Sequence, residues 1–115
     1  MKKVELKDVK PYDAKGHFNM AALRLQAKAE TDCQNYWVGM SHFLPGGGAE
    51  MGVVPAEMVY FVLEGELTVY DDKNNKIVLK KWDSLHIAPG EKRSLINETS
   101  LPATQLVIGT YPPAK

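Results

Sequence analysis

The chain has 115 residues, of which 44% are hydrophobic and 24% are charged, and its 14 basic and 14 acidic side chains cancel. This length predicts one domain, 1–115, whose core is stable without disulfides. The basic residues are scattered, which argues against nucleic acid as a partner, because a phosphate backbone needs a clustered basic surface. The segment "MKKVELKDVK" has no apolar run and Cys33 has no cysteine partner. We therefore expect a cytoplasmic protein with no membrane association.

Segments typical of β-strands follow one another along the chain. Residues 1–30 are predicted to form an N-terminal arm with one strand, because Leu23 and Leu25 alternate with polar residues in "AALRLQAKAE". Six further segments are rich in aromatic, β-branched and aliphatic residues: "NYWVGMSHFL", "MVYFVLEGELTVY", "KIVLKKW", "SLHIAP", "RSLIN" and "TQLVIGTY". Turn sequences such as "PGGG", "DDKNNK" and "PGEK" separate them. This pattern predicts an all-β protein, either an antiparallel barrel or a sandwich.

Two motifs within 36–111 resemble those of small single-domain cupins. The first, "GGGAEMGVVPAEMVYFVLEG", has the spacing at which that family carries Gly, His-x-His, Glu and Gly. The second, "WDSLHIAPGEKRSLIN", keeps Gly90 and Asn97 at the family's Gly and Asn positions. The resemblance implies a double-stranded β-helix, the jelly-roll-like cupin barrel, with the N-terminal arm outside it. For Asn97 we expect a hydrogen bond that stabilises a turn.

The positions at which the resemblance places metal ligands carry other residues in this chain. Four residues occupy them: Gly52, Val54, Met58 and Arg93. Transition metals bind imidazole, thiolate or carboxylate groups, and these four side chains offer at most one weak thioether. We therefore predict no metal and no cofactor here. A relocated metal near His42, Glu50 and Glu57 is the alternative that stays open.

The substitutions also indicate what lines the barrel. If the strand 58–63 has the family's orientation, alternation turns Met58, Tyr60 and Val62 inward. The predicted ligand-binding residues are Arg93, Tyr60, Met58, Val54 and Gly52. Together they would form a mostly apolar pocket with two polar groups.

Arg93 is expected to pair with a carboxylate, because a buried guanidinium is costly unless it is paired. The acid is either a protein side chain, such as Glu50 or Glu57, or a group on a ligand. The remaining alternative is that Arg93 turns out to solvent along the rim of the barrel. Tyr60 and His42 are weak candidates for acid/base catalysis. Their structural alternatives are a core aromatic residue and a solvent-facing histidine.

Three functions remain open on the sequence alone, and so does the question of whether the protein is an enzyme. The first is a metal-free cupin that binds a small organic ligand, for instance a carboxylate. The second is a metal-independent isomerase, lyase or hydrolase of a small organic acid. The third is a structural subunit with a filled pocket. A homodimer is expected, because Tyr36, Trp37, Phe43 and Phe61 exceed what one face of a small barrel buries.

Overall fold

The computed structural model describes residues 1–113, in which eight strands form a nearly closed antiparallel β-barrel. The strands are, in chain order, β1 (His17–Gln26), β2 (Tyr36–Val53), β3 (Met58–Glu64), β4 (Leu67–Asp71), β5 (Lys76–Leu79), β6 (Ser84–Ile87), β7 (Lys92–Ile96) and β8 (Ala103–Thr110). The predicted all-β antiparallel barrel is confirmed.

Two short helical segments lie near the N-terminus, a 3-10 turn at Leu6–Asp8 and the single-turn helix α1 at Lys28–Thr31. The predicted arm strand is present as β1, but it ends at Gln26, where helix formers take over in "AKAET". Neither helical segment of the described residues has the length or apolar character needed to cross a bilayer.

Strand β2 is the longest strand and pairs with three others. Its first half, 36–43, pairs with β8, and its second half, 48–53, pairs with β7. Strand β1 lies on its free edge and contacts both halves. The full order of the sheet is β5-β4-β7-β2-β8-β3-β6, with β1 beside β2. The N-terminal arm is thus attached to the barrel through the same strand that links its two sides.

The segment "PGGG" lies inside β2, so its interpretation as a turn is wrong. A Cβ atom on Gly47 would overlap the backbone carbonyl oxygen of Asn19, and one on Gly48 would overlap that of Leu95. Gly46 has a φ of +79°, a backbone conformation that favours glycine. The glycines therefore let β2 pass from β8 to β7 between two closely approaching backbones.

The barrel core follows the two-residue period of the strands. In β3, Tyr60 and Val62 are 3% and 0% exposed, whereas Val59 and Phe61 are only half-buried. Other members of the core are Phe43, Ala49, Val54, Leu67, Val69, Leu79, Ile87, Leu95, Ala103 and Val107. The predicted inward orientation of Met58, Tyr60 and Val62 agrees with this alternation.

Asn97 is fully buried and holds a turn, as expected from the second motif. Its side-chain amide donates to the carbonyl oxygens of Phe43 and Leu101, at 3.2 and 2.8 Å. Its Oδ1 accepts hydrogen bonds from the backbone N–H and the hydroxyl of Thr99. Every polar group of this buried amide therefore has a partner.

The outside of the sheet formed by β2, β8 and β3 carries an apolar surface, which we call the outer apolar face. Cross-strand pairs place Val38 and Val59 beside Ile108, and Met40 and Phe61 beside Leu106. All six side chains are half-buried or exposed in the described chain. Such a continuous apolar surface is typical of a contact with another protein surface.

Gly48→Ala is predicted to destabilise the protein by about 3 kcal/mol, because the methyl group would enter the space of the Leu95 carbonyl. Gly52→Ala is the matched control in the same strand, since a methyl group there would have its nearest neighbouring atom 3.9 Å away. We expect this control to change stability by no more than about 1 kcal/mol. Urea unfolding of both variants tests the difference. Equal losses would contradict the proposed close backbone contact.

Candidate functional site

A pocket of about 200 Å³ lies between the barrel interior and the N-terminal arm, and we call it the barrel pocket. Inward-facing residues of β2, β3, β7 and β8 form its inner wall, and β1 together with the preceding arm residues forms the outer wall. The polar side chains in its lining are Tyr12, His17, Ser41, Tyr60, Arg93 and Gln105. The larger apolar ones are Met20, Leu23, Trp37, Met58 and Val107.

Tyr12 closes the pocket from the arm. Its backbone N–H donates to the carbonyl oxygen of Ala22 at 3.0 Å and so forms an isolated β-bridge between the arm and β1. The guanidinium of Arg24 lies 4.2 Å from the centre of the Tyr12 ring. A cation–π contact of this kind stabilises the ring by roughly 0.5–1 kcal/mol at an exposed site.

Arg93 reaches into the barrel pocket and donates hydrogen bonds to uncharged groups. Its Nε donates to the hydroxyl oxygen of Tyr60 at 2.8 Å, and its Nη1 donates to the backbone carbonyl of Glu50 at 3.3 Å. No carboxylate within the described residues forms a salt bridge with it. The expectation that Glu50 or Glu57 supplies the paired acid is therefore wrong, and Glu57 bonds His86 outside the barrel at 2.6 Å.

Asp71 is the acid nearest to Arg93 in the strand register, because the two are cross-strand neighbours in β4 and β7. Its carboxylate accepts from the backbone N–H groups of Lys73 and Asn75 and from the Asn75 side-chain amide, at 2.8–2.9 Å. The pKa of Asp71 is lowered, and the largest cause is the hydrogen bond from the Asn75 side-chain amide. This carboxylate is therefore ionised at neutral pH and engaged in its own turn.

Gln105 is the buried polar group of the site that lacks a partner. The residue is 1% exposed and lines the pocket from β8, and its Oε1 has no hydrogen-bond partner among the described residues. A buried carbonyl left without a donor costs roughly 1–3 kcal/mol. A ligand group that donates a hydrogen bond at this point would recover that cost.

His17 begins β1 and adds a titratable group to the lining. Its Nδ1 lies 2.9 Å from the backbone carbonyl oxygen of Lys15. A carbonyl only accepts, so Nδ1 carries the proton and the neutral ring presents Nε2 as an acceptor.

The structure brings three of the five predicted ligand-binding residues together. Met58, Tyr60 and Arg93 all line the barrel pocket. Val54 is 1% exposed and belongs to the closed core, and Gly52 lies beside Arg93 in the β2–β7 register; neither lines the pocket. A pocket is therefore present at these three residues, but arm residues line its other side and Gly52 and Val54 do not.

His42, the second acid/base candidate, lies on the other face of the sheet. Its neighbour Ser41 and the facing residue Gln105 line the pocket. Alternation turns His42 and its cross-strand partner Thr104 outward, where Nδ1 of the histidine lies 2.8 Å from the threonine Oγ1. This arrangement matches the structural alternative, a satisfied histidine outside the site.

Several residues of the site were not found from the sequence. His17 and Tyr12 belong to the arm, which lies outside the motifs, and no local pattern shows that the arm covers the barrel. Gln105 did carry a signal, because it is the polar residue between Ala103 and Val107 on the inward phase of "ATQLVIG". A lone polar residue on a buried strand face needs a partner.

The donors at the family's metal position do not fit a transition metal. Strands β2, β3 and β7 present Gly52, Met58 and Arg93 there, together with Val54 just after β2. Within residues 1–113, no three side chains of His, Cys, Asp or Glu come close enough to hold an ion. The relocated set of His42, Glu50 and Glu57 therefore receives no support either.

Comparison with known proteins gives the family. A family model described as a cupin domain matches residues 39–109. A Mycobacterium tuberculosis protein named beta-D-galactosidase is 40% identical over 104 residues, which span 90% of this chain and 89% of that protein. The chain belongs to the cupin family.

Solved structures share the fold at low sequence identity. The polyketide cyclase RemF from Streptomyces resistomycificus superposes with a TM-score of 0.84 at 18% identity, over 96% of this chain and 79% of the other. A protein from Thermotoga maritima described as a predicted oxalate decarboxylase gives 0.79 at 17% identity, over 95% and 98%. Their likeness supports the barrel architecture alone.

Proposed function

We propose that this cupin binds a small polar organic ligand, a galactose-type sugar unit, in the barrel pocket without a metal ion. The observation that carries the proposal is the combination of an unpaired, buried Gln105 oxygen and an Arg93 guanidinium that forms no salt bridge with a described residue. The Gln105 oxygen lacks a donor among the described residues, and Arg93 donates to Tyr60 and Glu50 but has no anionic partner there. A ligand with hydroxyl groups offers donors for the amide oxygen and acceptors for the guanidinium.

The rest of the lining fits a sugar ring. A sugar has a rim of hydroxyl groups and an apolar C–H face, so its binding sites combine hydrogen-bonding groups with flat apolar surfaces. Tyr60 and Ser41 supply hydroxyls, while Trp37 and Met58 supply apolar surface. The volume of about 200 Å³ is below the roughly 300–1,000 Å³ of sites for drug-sized ligands. One ring is the size of ligand that this pocket suits.

Hydrolysis of a galactoside is the second candidate function, and the 40% identical relative named beta-D-galactosidase favours it. In this reaction water adds to the anomeric carbon, the glycosidic C–O bond breaks, and the leaving oxygen takes a proton. The usual pair of catalytic carboxylates is not in the described lining of the barrel pocket. His17 and Tyr60 are the lining groups that we propose for proton transfer.

We also propose a homodimer that buries the outer apolar face. Met40, Leu106 and Phe61 lie at its centre and are flanked by Val38, Val59 and Ile108. An isologous pair of such faces buries the same apolar surface on both subunits, and two-fold dimers are the commonest soluble oligomers. The cytoplasmic location stays a prediction from the sequence.

Gln105→Leu is predicted to raise stability and weaken binding at once. The change removes an unpaired buried carbonyl, so the free energy of unfolding should rise by about 1 kcal/mol. The same change removes an acceptor for the ligand, so galactose should bind about tenfold more weakly. Arg93→Gln should weaken binding at least as much. Calorimetric titration with galactose measures the loss of affinity, and urea unfolding measures the gain in stability.

His42→Gln is the control for these variants, because its side chain lies outside the barrel. We expect its galactose affinity to equal that of the wild type. Unchanged affinity in both Gln105→Leu and Arg93→Gln would reject the barrel pocket as the binding site.

Hydrolysis of a chromogenic β-galactoside tests the second candidate. We expect activity to survive treatment with a chelator, and elemental analysis to show less than stoichiometric metal. His17→Asn and Tyr60→Phe should each lower kcat by roughly 100-fold or more, as the loss of general acid/base catalysis does. Loss of activity on chelation, restored by one metal ion per chain, would refute the metal-independent mechanism.

Met40→Lys is predicted to shift the protein from dimer to monomer, because it places a charge at the centre of the outer apolar face. Ile77→Lys is the matched control, since Ile77 is an exposed apolar residue on β5, outside that face. Sedimentation velocity at micromolar concentration distinguishes the two states. A wild-type monomer, or a Met40→Lys dimer as stable as the wild type, would refute this interface.

A further inference from the structure

A second, larger cleft adjoins the barrel pocket. It has a volume of about 450 Å³, and we call it the arm cleft. It lies between the arm, β1 and α1, and its lining includes Arg24, Glu30 and Tyr111. Tyr12 and Trp37 line both the arm cleft and the barrel pocket. A molecule too long for the barrel pocket would therefore continue past these two aromatic side chains.

The arm cleft presents cations stacked on aromatic rings. The guanidinium of Arg24 lies 4.2 Å from the centre of the Tyr12 ring, and Nζ of Lys28 lies 4.2 Å from the centre of the Tyr111 ring. Neither cation forms a salt bridge with another described residue. Their N–H donors point to a ligand with acceptor oxygens.

Glu30 adds an acceptor that lacks a donor. Its Oε1 is buried and has no hydrogen-bond partner within residues 1–113. Lys2 approaches the same residue but donates to its backbone carbonyl oxygen, at 3.0 Å. A buried carboxylate oxygen without a donor is costlier than a neutral carbonyl. A hydroxyl group of a ligand in the cleft would supply the missing donor.

We infer that the arm cleft is a second sugar subsite, which binds the next unit of a saccharide whose first unit lies in the barrel pocket. This inference rests on the proposed function. The cleft offers flat aromatic surface from Tyr12, Trp37 and Tyr111 for the C–H face of a ring. Arg24 and Glu30 offer planar donors and acceptors for neighbouring hydroxyls. The shared wall makes the two sites continuous.

Calorimetric titration with galactose and with a β-linked galactose disaccharide tests the inference. For the wild type, the disaccharide should bind about tenfold more tightly than galactose, since one added hydrogen bond to a charged group is worth about that factor. Glu30→Gln and Lys28→Met should abolish this advantage and leave the affinity for galactose unchanged, because neither residue lines the barrel pocket. Glu64→Gln is the matched control, because Glu64 lies at the end of β3 and lines neither cleft.

The outcomes separate the two proposals. Galactose binding with no gain for the disaccharide overturns the second subsite and keeps the barrel pocket. A Glu30→Gln or Lys28→Met variant that loses affinity equally for both sugars also overturns it. Disaccharide binding that depends on Glu30 but survives Arg93→Gln overturns the barrel pocket, and with it a subsite that continues from that pocket. Failure of both sugars to bind the wild type overturns both.

Discussion

The close passage of β2 between the backbones of β1 and β7 is the constraint on which the rest of the structure depends. At Gly47 and Gly48 no side chain larger than hydrogen fits beside the carbonyl oxygens of Asn19 and Leu95. One continuous strand passes this point and pairs with β1, β7 and β8, and its pairing with β8 has an unbroken register. That register turns Ser41 towards the barrel pocket opposite Gln105 of β8. Pairing with β7 places Arg93 beside the same strand.

The site that results is organised by a hydrogen bond where the family has a metal. Arg93 lies at a position where the family resemblance places a metal ligand, and its Nε donates a hydrogen bond to the hydroxyl of Tyr60 at 2.8 Å. A permanently charged guanidinium cannot coordinate a cation, yet it can bind an oxygen-rich ligand through several donors. In the function that we propose, this barrel wall offers hydrogen-bond donors to an organic molecule instead of electron-pair donors to a metal.

The sequence predicts the fold well because the glycines, the turn residues and the strand alternation of its motifs are requirements of the backbone. These requirements are the same whether or not a metal is bound. Alternation on β3 correctly turns Met58 and Tyr60 inward, and the second motif places Arg93 opposite them. The interpretation of "PGGG" as a turn was wrong, because the same residues serve a turn and a close backbone approach. His17 and the arm cleft could not be predicted, since they depend on how the arm lies over the barrel.

The isolated β-bridge that holds Tyr12 to Ala22 has a consequence for how this protein diverges. The wall shared by the two clefts comes partly from a segment with few ties to the barrel core. Substitutions in that segment alter the mouth of the site without disturbing core packing. For the binding site that we propose, a change of ligand is therefore expected to come from substitutions in the N-terminal arm, with the barrel kept.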